Sequence, residues 1–570
     1  SLVTLADGRD VPIRELVEQA LATAAATETL DDGMLTRENP QAIQILSLNP
    51  VTFKLEPRPV AAFVKRTAPD HMLRVRTRSG REVMATPYHP LFTLESGQLR
   101  ALRADELRVG TKIAVPRILR TQGQDQQIDQ QTLLSRFVEE DRVYMPPSPE
   151  LLEWANTIRG GLRSRQQWGQ NANVSGQQID GLLDGQSVNV SVVARLAAIA
   201  HMPPPFEGQL RSHGTVSITV PSQITPNLGR FIGLYVAEGS TSAAGNLWFV
   251  NADPAVNEDY MHLAAELFGV RTFREKYKPN AEDLIVFSRT LGKVFERLFG
   301  LGIAVKSSEK CIPEQIICAS AETQWAFLSG LFEGDAHIHL SKTHQGKRTV
   351  AYIEYMTASR VLAHQVVTML LRLGIFASVT PKEKFATNTV AKVRRTYYAV
   401  YIYGLHQLHV AARFLHFVGE KQRILDALLH HSTASNPNLD LIPAVAPLVK
   451  EAAKSSGVSV KRHRAACPKL ASYVEQRCEA SRGGLIECIA RIREWGKTSE
   501  VAQPILDHLT KLATSDVYWD EIVAIEELAP RDPWVYDLSV AETHNFVAEN
   551  IIVHNSNIAD GLRWILGEQS

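Results

Sequence analysis

Apolar and polar residues alternate in short runs near both ends of the chain. From 46 to 117, the stretches LSLNPVTFKLEPRPVAAFVKR, HMLRVRTRSGREVMAT and HPLFTLESGQLRALRADEL show β-branched alternation broken by Gly, Pro and Asn-Pro, which predicts short strands. The pattern returns from 516 to 555 in DEIVAIEEL, WVYDLSV and HNFVAENIIVHN. Residues 118–225 are different: a glutamine-rich stretch (QGQDQQIDQQ) and proline turns at YMPPSPE and HMPPPF surround a small helical unit. From 226 to about 420 two stretches share one order, an apolar helix ending in an acid, then strands rich in Val, Ile, Tyr and Phe, then a Leu-rich helix. Residues 421–515 read as helical. The β character at both ends predicts one β domain split by an insertion.

At 570 residues the chain is too long for one ordinary core, so two to four domains are expected at about 150 residues each. Its 45% hydrophobic and 21% charged residues exclude a mostly disordered or collagen-like chain. Lys+Arg and Asp+Glu are both 61, so any basic surface for nucleic acid must be local. Five cysteines, Cys311, Cys318, Cys467, Cys478 and Cys488, form no C-x-x-C pair, which suits a reducing compartment and argues against a metal ribbon or disulfide scaffold. The opening SLVTLADGRD lacks signal-peptide character, and no run of about 18 apolar residues occurs. A cytoplasmic location without membrane association is expected.

FIGLYVAEG (231–239) and LSGLFEGDA (328–336) place Gly233 with Ala237, and Gly330 with Gly334, four apart on one helix face. Two such helices can pack closely together. Each ends in a carboxylate, Glu238 or Asp335, facing the negative end of its helix dipole at a penalty of ~0.3–1 kcal/mol. A hard divalent cation would offset the repulsion between two adjacent acids. One such helix alone would be an ordinary amphipathic helix ending in a solvated acid; the second copy favours the cation. These segments resemble the LAGLIDADG homing endonucleases. The resemblance implies two αββαββα halves packed through these helices, Glu238 and Asp335 as catalytic acids holding Mg²⁺ at the scissile phosphates, and double-stranded DNA as partner. EKCIPEQI (309–316) resembles the family's Lys-x-x-Pro block, and LLRLGIFASV (370–379) the block after the second helix. Glu238 stands in place of Asp, and Ala336 in place of the final Gly. Lys382, Lys384, Lys392, Arg394 and Arg395 surround the single acid Glu383; such a basic strand pair suits a major groove, or is a solvated hairpin. By family resemblance Lys384 or Lys392 is the catalytic lysine. His337 and His339 read as surface strand residues rather than metal ligands. Residues 173–200 resemble a helix-turn-helix, with a plain helical spacer as the competing reading.

Thr86 and His89 stand three apart in GREVMATPYHP; VYDLSVAETHNFVAENIIVHNS holds Asp537, His544, His554, Asn555 and Ser556. In this order the stretches resemble the splicing blocks of an intein. The resemblance implies that Ser1 attacks the preceding carbonyl in an N-to-O acyl shift assisted by His89, Thr86 and Asp537. Ser556 then takes the acyl group, and Asn555 cyclises with His544 and His554 moving protons and polarising the carbonyl. No cofactor is expected for splicing, and Mg²⁺ for the endonuclease. Ser1 stands where most inteins have Cys, as a natural oxygen-ester variant or an engineered block, and a hydroxyl is the weaker nucleophile. With nothing ahead of Ser1, only cleavage after Asn555 is expected. That would release SNIADGLRWILGEQS, which resembles the segment after the P-loop of chromosome-segregation SMC ATPases. Ser556 would then serve the host as the Mg²⁺-binding P-loop hydroxyl for ATP. An ATPase fragment as such is disfavoured, since the chain holds no Gly-x-x-x-x-Gly-Lys.

The expected fold is multidomain. An all-β Hint (Hedgehog/intein) horseshoe, 1–120 with 516–555, is split by an α/β LAGLIDADG endonuclease at 226–420, with helical inserts at 121–225 and 421–515 and host sequence at 556–570. A monomer is expected, with flanking SMC-like host segments and DNA as partners. The rival reading is a splicing element whose insert only binds DNA or acts as a spacer.

Overall fold

Strands from the two ends of the chain complete one another's hydrogen bonding. The computed structural model describes residues 1–121, 123–161, 172–212, 216–278, 281–342, 349–385, 394–430, 440–497 and 499–555. A six-stranded sheet runs in the order Gln98–Arg103, Pro90–Glu95, Ile551–His554, Asn545–Ala548, Leu2–Thr4, Asp10–Pro12, so the first strand lies beside the last strand but one, paired at Val3 and Ala548. A four-stranded sheet sets Val517–Leu528 between Lys112–Pro116 and Met72–Thr77. In a third sheet Trp534–Val540 pairs with the long strand Lys54–Thr67. One apolar core draws on both ends, including Val3, Val60, Val75, Leu91, Leu538 and Val553. Helix Ile13–Thr23 lies against it through Ile13, Leu16, Val17 and Ala20, the spacing of one helical face.

The middle of the chain contains two copies of one αββαββα unit. The first runs Pro226–Glu238, Gly239–Thr241, Leu247–Asn251, Pro254–Phe268, Phe273–Lys278, Ala281–Val286, Arg289–Phe299. The second runs Ala321–Asp335, Ala336–Lys342, Thr349–Thr357, Arg360–Arg372, Ala377–Phe385, Arg394–Tyr403, Leu405–Phe414. Both four-stranded sheets have the same order, with the fourth strand of the unit inside the third. Thr225, Asp253, Ser288, Ser320 and Ser359 each accept a first-turn N–H at a helix start, which satisfies a backbone donor that the helix itself leaves open.

The acid-ended helices Pro226–Glu238 and Ala321–Asp335 meet backbone to backbone. A Cβ on Gly233 would stand 2.1 Å from the Phe327 carbonyl oxygen, and one on Gly330 2.3 Å from that of Arg230. Only glycine permits this approach.

The flanking segments join these two bodies. The described residues between 128 and 224 share one apolar core with the αββαββα units, through Leu133, Trp154, Ile179 and Leu196. Within them, helix Val190–Ala200, the second helix of the helix-turn-helix resemblance, buries Val190, Ser191, Val192, Val193 and Leu196, and its Arg195 pairs with Glu139. The helical stretch after 420 divides: Leu425 and Leu428 join the αββαββα core, whereas Val449, Leu485, Cys488 and Leu509 pack on residues of the terminal β-sheets such as Leu46, Phe92 and Val547.

Candidate functional site

The six-stranded sheet brings the two chemically distinctive ends together. Ser1, Thr86, His89 and Asp537 line one cavity of about 370 Å³ with Phe546 and Val553. The strand carrying Ser1 is held at its first residues: Leu2 N–H donates to Glu549 Oε1 at 2.8 Å, and Glu549 N–H to the Leu2 carbonyl at 2.9 Å. Thr86 is buried with its Oγ1 unpartnered among the described residues, and its carbonyl accepts the His89 N–H at 3.0 Å. His89 is half-buried at the cavity wall, and burial holds its pKa below the usual imidazole value, with Asp537 opposing.

At the other junction Asn555 is fully buried. Its N–H donates to the His544 carbonyl at 2.9 Å. The side-chain orientation that satisfies both ends puts the amide oxygen on the Val540 N–H (3.1 Å) and the Ser539 hydroxyl (3.3 Å), and the amide nitrogen on the His544 carbonyl. His554 Nδ1 lies 2.7 Å from the Asn555 backbone oxygen. A carbonyl can only accept, so Nδ1 carries the proton and polarises the peptide that follows Asn555. Burial lowers the His554 pKa, with the Asn555 hydrogen bond opposing, and His89, His544 and Asp537 also act on it. Its ring centroid lies 6.5 Å from that of His544, whose Nδ1 is buried without a partner among the described residues. Ser556 and the segment 556–570 lie outside the described residues.

A buried asparagine whose carbonyl meets an imidazole, on the sheet that also carries a hydroxyl residue at position 1, is an arrangement suited to chemistry on its own backbone. The Intein splicing domain model matches residues 3–555, and the chain belongs to that family, whose members splice themselves autocatalytically. Curated relatives include the replicative DNA helicase DnaB of Rhodothermus marinus, 27% identical over 98% of this chain and 45% of that protein. Another is elongation factor 2 of Methanopyrus kandleri, 23% identical over 98% of this chain and 42% of that protein. The chain spans under half the length of these relatives. Among solved structures, the PabCDC21-1 intein is 34% identical, with 20% of this chain and 69% of that chain covered at a TM-score of 0.19. A KlbA intein precursor from Methanococcus jannaschii is 21% identical, with 20% and 62% covered at 0.19.

A second polar centre lies where the paired helices end. Glu238 sits against the other helix: a Cβ on Gly334 would be 3.0 Å from its Cγ. Asp335 stands next along that helix, open to water on one side and crowded by protein on the other. Partial burial and then Glu238 push its pKa up to about 7, and burial raises Glu238 as well. Two lysines oppose these shifts. Lys310 Nζ donates to the carbonyls of Val236, Ala237 and Gly239 at 2.8, 3.2 and 3.0 Å; Lys421 Nζ donates to those of Phe332 (2.9 Å), Glu333 and Gly334 (3.2 Å). Each lysine therefore caps the last turn of one acid-ended helix and offsets the dipole penalty there. Burial lowers both lysine pKa values, and the acids oppose it. These two lysines act on both carboxylates, whereas Lys392 lies outside the described residues. The Lys-x-x-Pro block announces Lys310; no motif announces Lys421.

The basic strand pair does not form one uniform surface. Lys384 faces Arg395 across the ladder and Phe385 faces Arg394, so Arg394 falls on the other side of the sheet. Lys382 is engaged by Glu354 at 2.8 Å and by the Tyr401 hydroxyl. His339 stacks on Tyr352 at 4.8 Å and shares a hydrogen bond with Ser341. Among the described residues no group of three or more His, Cys, Asp or Glu could hold a metal ion, and no helix is long and apolar enough to cross a membrane.

Proposed function

We propose that this intein is bifunctional, a splicing element that also cleaves both strands of DNA. In the splicing half Ser1 is the first nucleophile, His89 delivers the proton to the leaving nitrogen, and Thr86 and Asp537 orient the scissile amide. Ser556 accepts the acyl group. Asn555 Nδ2 then attacks its own carbonyl carbon, which forms a succinimide and frees the amino group of residue 556. The His554 Nδ1–H at 2.7 Å from that carbonyl oxygen is the observation that carries this reading.

In the insert, Glu238 and Asp335 would hold Mg²⁺, and the raised pKa of both acids supports a site suited to a hard cation. Bound there, the ion would polarise a phosphodiester and lower the pKa of a water. Lys310 and Lys421 hold the acid-bearing turns in place. The sheet face with Lys384, Arg395, Tyr401 and Tyr403 lies along DNA, and Lys382 joins it when DNA displaces Glu354. In this reading the host is an SMC-like, ATP-binding, cytoplasmic protein whose P-loop is completed by excision.

A precursor in which the chain follows a short peptide ending in Gly-Lys tests the splicing half. Mass spectrometry should find that peptide joined to Ser556 and a free insert ending in Asn555; release of the tail by Asn555→Ala would refute the cyclisation assignment. Incubation of the excised protein with intein-free host DNA and Mg²⁺ tests the other half. Binding without cleavage would replace the nuclease by a DNA-binding insert.

A further inference from the structure

Helix Arg360–Arg372 belongs to the second αββαββα unit, yet one of its faces touches the neighbours of the strand that follows Ser1. Thr368 and Arg372 are four residues apart and so share that face. Arg372, with a side chain 3% exposed, reaches Asp10 Oδ2 at 3.2 Å and the Ile317 carbonyl at 3.1 Å. Asp10 in turn accepts the Thr4 hydroxyl at 2.8 Å, and Asp10 and Thr4 are register partners in the ladder between Leu2–Thr4 and Asp10–Pro12. One helical turn earlier, the Thr368 hydroxyl accepts from Asn550 Nδ2 at 2.7 Å. Asn550 closes the tight turn Glu549–Asn550, both residues left-handed at φ 51° and 56°, and Glu549 makes the two bonds to Leu2 described above.

The Ser1 strand is thus braced on both sides from a single helix: through Asp10 on one neighbour, and through the Glu549–Asn550 turn on the other. Further bonds fix the C-terminal end of the helix and the strand after it to the splicing fold, Leu119 N–H to the Leu371 carbonyl at 3.0 Å and Val379 N–H to the Ser79 carbonyl at 2.8 Å. A buried arginine that meets a carboxylate of another unit holds geometry more tightly than apolar contact does, because its planar donors fix direction as well as distance.

We infer that Arg372 and Thr368 are positioning residues for the first step of splicing, supplied by the insert rather than by the splicing fold. Through Asp10 and Asn550 they fix the strand that aims Ser1 at the preceding carbonyl. The inference rests on Ser1 as the first nucleophile, and its test separates the two. The probe is the full chain with a short upstream peptide, exposed to hydroxylamine, which intercepts the ester at Ser1. Arg372→Ala should slow hydroxylamine-dependent cleavage before Ser1 by about tenfold or more, while Asn555-dependent release of the tail stays within about twofold. Arg372→Lys should restore most of the first rate. Thr368→Val, which keeps the side-chain shape and removes the acceptor, should slow the Ser1 step in the same direction and serves if Arg372→Ala does not fold. An unchanged Ser1 rate in both variants would overturn the inference, as would a parallel fall of both junction rates with the melting temperature. Ser1→Ala is the independent control: persistent hydroxylamine cleavage in that variant would remove Ser1 as nucleophile, whatever the Arg372 result.

Discussion

Gly330→Ala is the sharpest perturbation of the paired helices. The added Cβ would stand 2.3 Å from the Arg230 carbonyl oxygen and 2.8 Å from the Leu234 nitrogen. Both are backbone atoms of the facing helix, so no side chain can rotate away. A relaxed carbon–oxygen contact needs about 3.3 Å, which requires the helices to part by roughly 1 Å. Overpacking of this kind costs about 1–3 kcal/mol. For a unit of 150–250 residues each kcal/mol shifts the melting temperature by about 2–4 °C. Gly483→Ala provides the contrast, since nothing lies within 4 Å of its added Cβ and a helical Gly→Ala there should stabilise by about 0.5–1 kcal/mol. Differential scanning calorimetry should therefore move the two variants in opposite directions. The same separation displaces Asp335 relative to Glu238, and a misplacement of about 1 Å can cost about 100-fold in rate, so Mg²⁺-dependent cleavage should fall sharply. Splicing should persist, because Val3, Val60, Leu538 and Val553 form a core apart from the helix pair. An unchanged melting temperature for Gly330→Ala would refute backbone-to-backbone packing.

His554→Ala removes the N–H on the Asn555 carbonyl and should slow tail release by about 10²–10³-fold, measured by gel densitometry of the released fragment. The Asp335 pKa, raised to about 7, means that the folded state binds a proton at pH values where the unfolded carboxyl does not. That contribution is present at acid pH and is lost as pH rises through about 7, so in metal-free buffer Asp335→Asn should raise the melting temperature more at pH 8 than at pH 5, by an amount moderated by solvent on the open side. His364 behaves oppositely: burial, then Arg360 and Arg81, lower it to about 4. Its contribution is present above its unfolded value of about 6.5 and is lost as pH falls toward 4. His364→Gln should flatten urea-derived stability across that window; an equally steep acid loss would discount its burial.

The splicing centre was legible because its chemistry fixes residue identity as well as spacing. Thr86 with His89, and His554 with Asn555, are informative only as combinations, and all four occupy the two junction regions. The paired helices were legible from Gly233 and Gly330, since an apolar helix with a four-residue glycine or alanine stripe can bury that stripe only against another backbone. Lys421 was not legible: it follows the second unit without a motif, and its role becomes visible only when folding sets it opposite Lys310. Helix Ile13–Thr23 carries a helical apolar spacing at Ile13, Leu16, Val17 and Ala20, but β-rich surroundings obscure it. The division of the helices after 420 between two cores is set by distant partners such as Phe92 and Val547, which no local pattern encodes. Nothing in the sequence marks Arg372 until Asp10, from the opposite end of the chain, is placed against it.

These long-range ties bear on whether the insert could ever be dispensable. Removal of the αββαββα units would uncover the Leu119 N–H, leave Asn550 Nδ2 without Thr368, and strand the Asp10 carboxylate, which burial already pushes toward its neutral form and Arg372 helps keep ionised. Asp10 would turn to water and lose the planar donor that fixes its direction. The Thr4 hydroxyl would then be the remaining brake on Asp10, at the strand that positions Ser1. A change at Glu238 or Asp335 disturbs none of these contacts. If the insert cleaves DNA as proposed, the two activities would separate by substitution at the acids but not by deletion of the units that carry them, and a shortened splicing element made from this chain would first need new partners for Asp10 and Asn550.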